Sequence, residues 1–173
     1  NHVQQVGRGE AFAAENGLGV AEIVELYQRV EHELVPRSEL RIYFDIPFAF
    51  YSIRRLLNDP LSRCAVRSIL GMLAGGELSL CGIGVTVPEL IYGHIEEDDL
   101  RDVWCDSPGL TLLREQIPAQ LEGICGECLH RDLCQGTCVA QNYHVSGRLN
   151  AQHHFCAQAE TLGLFPTSRK ESQ

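Results

Sequence analysis

Five cysteines crowded near one end, Cys125, Cys128, Cys134, Cys138 and Cys156, are spaced C-x2-C-x5-C-x3-C-x17-C. No other feature limits so strongly what this chain can fold into. Thiolates this dense, interleaved with Gly123, Gly126 and Gly136, can converge on soft metal ions, because glycine lets the backbone fold tightly around a metal group. Upstream stands a second piece, Cys64-x11-Gly76-x4-Cys81. One tetrahedral zinc takes four ligands, and so does one iron–sulfur cubane. Seven ordered cysteines are too many for one site and nearly enough for two.

The rest of the composition removes whole classes of function. Acids outnumber bases 23 to 14, giving a net charge of −9, whereas binding a phosphate backbone rests on clustered Lys and Arg; no nucleic-acid partner is expected. No apolar run approaches the roughly 18–20 residues that cross a bilayer, so no membrane partner is expected either. Eight cysteines in a secreted chain would predict four disulfides. The start lacks a basic stretch followed by an apolar one, and the C-x2-C and C-x3-C spacings favour metal ligation in a reducing cytoplasm.

Residues 1–60 hold no cysteine and read as a different kind of structure. Ile23, Tyr27, Val30 and Leu34 recur at helical spacing, predicting an amphipathic helix over residues 21–34 that Pro36 ends. Residues 41–46, RIYFDI, form a short apolar run of the kind that suits a strand buried on both faces. From Cys64 onward short elements dominate. Residues 68–73 and 77–80 can pair as a hairpin across Ala74-Gly75-Gly76, since Gly-Gly supplies the positive φ of a tight turn. Residues 96–104 predict a short helix with Glu96, Glu97, Asp98 and Asp99 in its first turn. Pro108 opens another over residues 109–116, burying Leu110 and Leu113. A helix over residues 134–144 would set Cys134 and Cys138 one turn apart on one face. The polar tail after Phe165 reads as disordered.

The ordered set from Cys64 to Cys156 resembles the SPASM domain, the auxiliary-cluster domain at the C-terminus of many radical S-adenosylmethionine (radical SAM) enzymes. The segments between the cysteines are similar as well: GGELSLC at residues 75–81 resembles that family's hairpin leading into its second cysteine. YGHIEEDDLRDVW at residues 92–104 resembles its Gly-Asn-Ile, acidic, Leu, Trp stretch, and GRGEA at residues 7–11 its Gly-Arg-Ala segment. The resemblance implies an α+β chain in three parts. Residues 1–60 would be the end of the radical SAM partial (β/α) barrel or a bridging region, a helix–strand remnant. Residues 61–165 would be a small, loop-rich, cysteine-rich SPASM domain with a β-hairpin and short helices, and residues 166–173 a tail.

Carried over residue by residue, the resemblance implies two 4Fe-4S clusters. Cys64, Cys81 and Cys138 would hold the first auxiliary cluster, and Cys125, Cys128, Cys134 and Cys156 the second. Nothing before Cys64 is a cysteine, so the first would have three thiolates and one iron open to water, a carboxylate or substrate. Cys105, after Trp104, lies outside the motif and reads as a small buried apolar residue. His130, His153 and His154 are either solvated loop histidines or ligands that a zinc site would recruit. Asp45 is either a functional carboxylate at a barrel end or a satisfied structural acid. Trp104 reads as core.

The implied function is a domain that relays electrons and positions a peptide or protein substrate within a radical SAM maturase. Its partners would be the remainder of the barrel or a separate SAM-cleaving protein. The C-x3-C-x2-C triplet that holds a SAM-cleaving cluster is absent: Cys134 and Cys138 are followed by Gln141 where the third cysteine would stand. SAM is therefore expected only in the full-length enzyme. The competing reading is a structural zinc module that mediates protein contacts, with zinc also able to replace lost clusters.

Overall fold

The computed structural model describes residues 8–58 and 63–171; part of the GRGEA segment and the expected domain boundary at residue 60 lie outside them. The chain is α+β, with nine α-helices among the described residues around one small antiparallel sheet. No helix among the described residues is long and apolar enough to cross a membrane.

Helix α1 spans Arg8–Asn16 and α2 spans Val20–Arg29. Gly19 N donates to the Glu22 carboxylate at 2.7 Å, satisfying an amide at the entrance to α2. The amphipathic pattern places Ile23, Val24 and Tyr27 inward. Each such side chain contributes about 1.5–3 kcal/mol when fully buried. The helix then widens into a π turn, Val30–Leu34, and finishes as a 3-10 turn, Val35–Arg37, so Pro36 falls inside the closing turn.

Residues 41–46 form no strand, which corrects the barrel-strand expectation. Arg41, Tyr43 and Asp45 are exposed, Ile42 and Phe44 half-buried, and Ile46 buried. Only one face is covered, and side chains rather than a neighbouring strand satisfy its backbone. Tyr51 Oη donates to Phe44 O at 2.6 Å and Arg55 Nη2 donates to Ile42 O at 3.0 Å. Arg55, on α3 (Ile53–Asn58), is itself buried and ion-paired with Glu31.

The sheet has strand order β1-β2-β3, from Gly71–Met72, Glu77–Ser79 and Ile91–His94. Gly71 faces Ser79 and Leu78 faces Gly93, with a bulge between Leu78 and Ser79. The β1–β2 turn closes through Gly76 at φ 100°, a left-handed conformation that glycine adopts freely. Helix α4 spans Leu100–Asp106, four residues later than its acids suggested. Glu96 and Glu97 precede it, Asp98 accepts from His94 N at 2.8 Å, and Asp99 caps it by accepting from Arg101 N. Helix α5, Pro108–Gln116, matches expectation and buries Leu110 and Leu113. Cys105 is exposed on α4 rather than buried, because α4 turns Val103 inward instead.

Four short helices complete the chain: α6 (Gly123–Gly126), α7 (Arg131–Cys134), α8 (Val139–Ser146) and α9 (His154–Thr161). Two apolar cores result. One joins α2, Ile46 and Ala49 to Ile124, Phe155, Ala159 and Phe165, and includes Cys128 and Cys156. The other joins Leu80, Leu90, Leu110, Leu113 and Val139, and includes Cys125. Of the residues expected to form a disordered tail, 166–171 are described, with a 3-10 turn at Thr167–Arg169.

Candidate metal centre

Cys125 and Cys128 occupy a knuckle begun by the single turn α6. The knuckle is tight because Gly126 lies against the Leu121 carbonyl oxygen, 2.2 Å from where a Cβ would stand. Cys134 closes α7, but the chain does not continue as a helix to Cys138. Gln135, Gly136 and Thr137 all take positive φ, at 52°, 77° and 60°, breaking the expected one-turn spacing and turning the two cysteines apart. Asn142, buried on α8, holds this turn by donating from Nδ2 to Gly136 O at 2.8 Å. Cys156 lies in the first turn and a half of α9, whose N-cap is His153.

Cys125, Cys128, Cys134 and Cys156 line one cavity, together with Pro47, Ala49, His130 and Phe165. The cavity stands where the two cores meet, since Cys125 belongs to one and Cys128 and Cys156 to the other. Cys64, Cys81 and Cys138 form a second group, in which Cys64 feels the charge of Cys81 and Cys138 feels that of both. This group is the more open one: Cys64 is exposed and Cys81 and Cys138 are half-buried. Among the described residues, no three His, Cys, Asp or Glu side chains are drawn together tightly enough to hold a single metal ion.

Ligation requires thiolates, and the backbone supplies donors for them. His153 N donates to Cys125 Sγ at 3.2 Å and His130 N to Cys128 Sγ at 3.4 Å. The amides of Phe48 and Thr137 face Cys134, those of Gln141 and Ala140 face Cys138, and that of Val66 faces Cys64. Cys138 is the N-cap of α8, so the positive end of that helix adds to its donors. Burial is the opposing force and pushes the Cys64, Cys128, Cys134 and Cys138 thiols up. Cys125 moves down, because Cys156 donates a hydrogen bond to it and His153 N a second. Cys156, the donor in that pair and buried besides, moves well up.

The donor set fits a group rich in acceptor sulfur. His130 Nε2 is buried with no hydrogen-bond partner among the described residues, an expensive state for a polar nitrogen unless something in the cavity accepts from it. Burial, then Arg169, hold the His130 ring below its ordinary pKa, which favours the neutral imidazole; protonated at Nε2, that ring donates into the cavity.

The remaining expected residues separate clearly. His153 is 1% exposed and in tilted ring contact with His154 at 4.6 Å between ring centroids, so it is no solvated loop residue. Asp45 is exposed and outside both cysteine groups. Trp104 is half-buried, its ring 4.3 Å from the Arg114 guanidinium, a cation–π contact. Spacing alone missed Tyr92, which stands beside Cys81 and Tyr143 with its phenol pushed up to about 12, mainly by burial. It also missed Arg169, whose charge reaches Cys128 and His130. Tyr92 falls within the stretch of family resemblance, but Arg169 carries no sequence signal.

No family model matches the chain, and no solved structure matches it. It is similar to mycofactocin maturase MftC of Mycobacterium tuberculosis, with 29% identity over 126 residues covering 62% of this chain and 31% of that protein. It is also similar to PqqA peptide cyclase of Methylocella silvestris, with 26% identity over 87 residues covering 50% of this chain and 23% of that protein. The chain thus spans less than a third of the length of these curated relatives.

Proposed function

We propose that this chain is the auxiliary iron–sulfur region of a radical SAM enzyme that modifies a peptide or protein, residues 61–165 forming its SPASM domain. The single observation that carries the reading is the convergence of Cys125, Cys128, Cys134 and Cys156 on one cavity, apart from Cys64, Cys81 and Cys138. Similarity to a maturase and a peptide cyclase supports the peptide substrate. Residues 8–58 are then the end of the barrel or a bridge to it, and the partner is the remainder of that barrel or a separate SAM-cleaving protein, in the cytoplasm.

In this reading the four-cysteine cavity holds one 4Fe-4S cluster and the three-cysteine group the other. Such clusters supply single-electron transfer, at potentials set by hydrogen bonds to sulfur, charge and solvent access. The chain's residues set each of those quantities. Backbone amides donate to Cys125 and Cys128 and face Cys134 and Cys138. Phe165 and Ala49 give the four-cysteine cavity an apolar lining. The three-cysteine group, open at Cys64, leaves a position for a carboxylate, water or substrate group.

Iron and acid-labile sulfide quantitation on anaerobically purified protein, with an optical spectrum, tests the reading. Two cubanes give about eight irons per chain. Colourless protein with stoichiometric zinc and little iron would overturn it in favour of the structural zinc module.

A further inference from the structure

Nothing in the electron-relay chemistry uses the residues after Phe165, yet the fold fastens them to the Cys125–Cys128 knuckle. Phe165 is buried edge-on to Phe50, with ring centroids 5.9 Å apart. Beyond the turn at Thr167–Arg169, Leu129 N donates to Arg169 O at 2.9 Å and Glu171 N donates to Glu127 O at 2.8 Å. Cys128 and Lys170 thereby face one another in an antiparallel bridge. Ion pairs secure both sides: Lys170 Nζ with Glu160 at 2.5 Å, and Arg131 Nη1 with Glu171 at 3.3 Å. The Arg169 guanidinium turns back and donates to Tyr51 O at 3.0 Å, joining the strap to the N-terminal layer. So held, Arg169 stands beside the Cys128 knuckle, its carbonyl bonded to Leu129 N and its neighbour Lys170 bridged to Cys128, which sets its positive charge close to both Cys128 and His130.

We propose that residues 167–171 are a cover over the four-cysteine site, and that Arg169 is a positioning residue in it, fixing the Cys128 knuckle and favouring the reduced state of a cluster held there. A bridge between backbones resists opening of the knuckle, so metal bound by Cys128 leaves slowly. A cluster gains one negative charge when it accepts one electron from an external reductant, and a fixed cation nearby favours that more negative state. The redox half of the proposal rests on the cluster reading above; the cover does not, because zinc held by the same thiols would be retained by the same bridge.

The test uses the full chain purified anaerobically, as wild type, R169Q, R169K and R54Q. Arg54 lines the same open groove as Arg169 but belongs to neither the strap nor the lining of the cysteine cavity, and serves as the control. Two quantities are read: the rate at which bound iron or zinc passes to a chelator, and the midpoint potential of the cluster signal under dithionite titration. R169Q should lose metal about tenfold faster. It should also shift the reduction equilibrium up to about tenfold, a potential lower by up to about 59 mV for a one-electron couple. R169K should keep the potential, because the charge remains, while losing metal faster than wild type. R54Q should match wild type in both. Wild-type loss rate and potential in R169Q would overturn the proposal, and a potential in R169K as low as in R169Q would overturn the role of charge. If R169Q does not fold, the loss rate of R169K decides the cover. A chain that binds only zinc defeats the cluster reading, and the loss rates alone then judge the cover.

Discussion

Replacing Gly126 by Ala places a methyl group where the fold has no room for one. The new Cβ would stand 2.2 Å from Leu121 O, a backbone atom that cannot rotate away. Ordinary contact begins near 3.4 Å, so the two backbone segments must part by about 1 Å. Neither is free to move. Leu121 is buried in one core, and Gly126 O accepts from Arg131 Nη1 at 2.9 Å. Overpacking of this kind costs about 1–3 kcal/mol, which lowers the folded-to-unfolded ratio by about 5- to 150-fold. The displacement also falls between Cys125 and Cys128, so metal content should drop with stability. Gly82→Ala is the control, since a Cβ there meets nothing within 4 Å and φ is not positive; it should change stability by less than about 0.5 kcal/mol. Urea unfolding of the metal-loaded proteins, compared at equal m-value, gives the difference, and iron or zinc per chain gives the second readout. If Gly126→Ala unfolds at the Gly82→Ala midpoint with full metal content, the knuckle is not held against Leu121 and the reasoning fails.

Three further outcomes are expected. Cys128→Ala should lose metal and, because metal-binding free energy in small metal domains is largely folding free energy, unfold well below wild type. Cys105→Ala, at an exposed position, should stay within about 0.5 kcal/mol; equal metal content and stability in the two variants would refute the assignment. Tyr92, whose phenol rises from 10.0 to about 12 mainly through burial, should release its proton first in the unfolded chain. Its contribution to stability is complete below pH 10 and lost as pH rises toward 12. Tyr92→Phe should therefore lose less stability than wild type across that window, by urea unfolding at stepped pH, and a parallel decline would contradict it. Finally, this chain alone, incubated with SAM and dithionite, should yield no 5′-deoxyadenosine by chromatography, because it lacks the C-x3-C-x2-C triplet. Product over many turnovers would require a SAM site of another kind, with Cys64, Cys81 and Cys138 tested first.

Local chemistry in the sequence determined much of this protein. Cysteine spacing singled out Cys125, Cys128, Cys134 and Cys156, which line one cavity, and Gly75-Gly76 marked the β1–β2 hairpin. The apolar spacing of Ile23 and Tyr27 found α2, and Pro108 found the start of α5. Each of these signals acts within a few residues, through backbone sterics or the period of a single element. What the tertiary structure alone decided depends on partners far away in the chain. Residues 41–46 are apolar enough for a buried strand, but Tyr51 and Arg55 take their carbonyls and leave one face to solvent. A polar tail gave no reason to be ordered until Glu127 and Leu129 offered it backbone partners. His153 is buried because the N-terminus of α9 lies against Cys125, 28 residues earlier. The environment of a sulfur, whether covered, charged or open, is set by such long-range contacts, which a pattern of spacings along one chain does not contain.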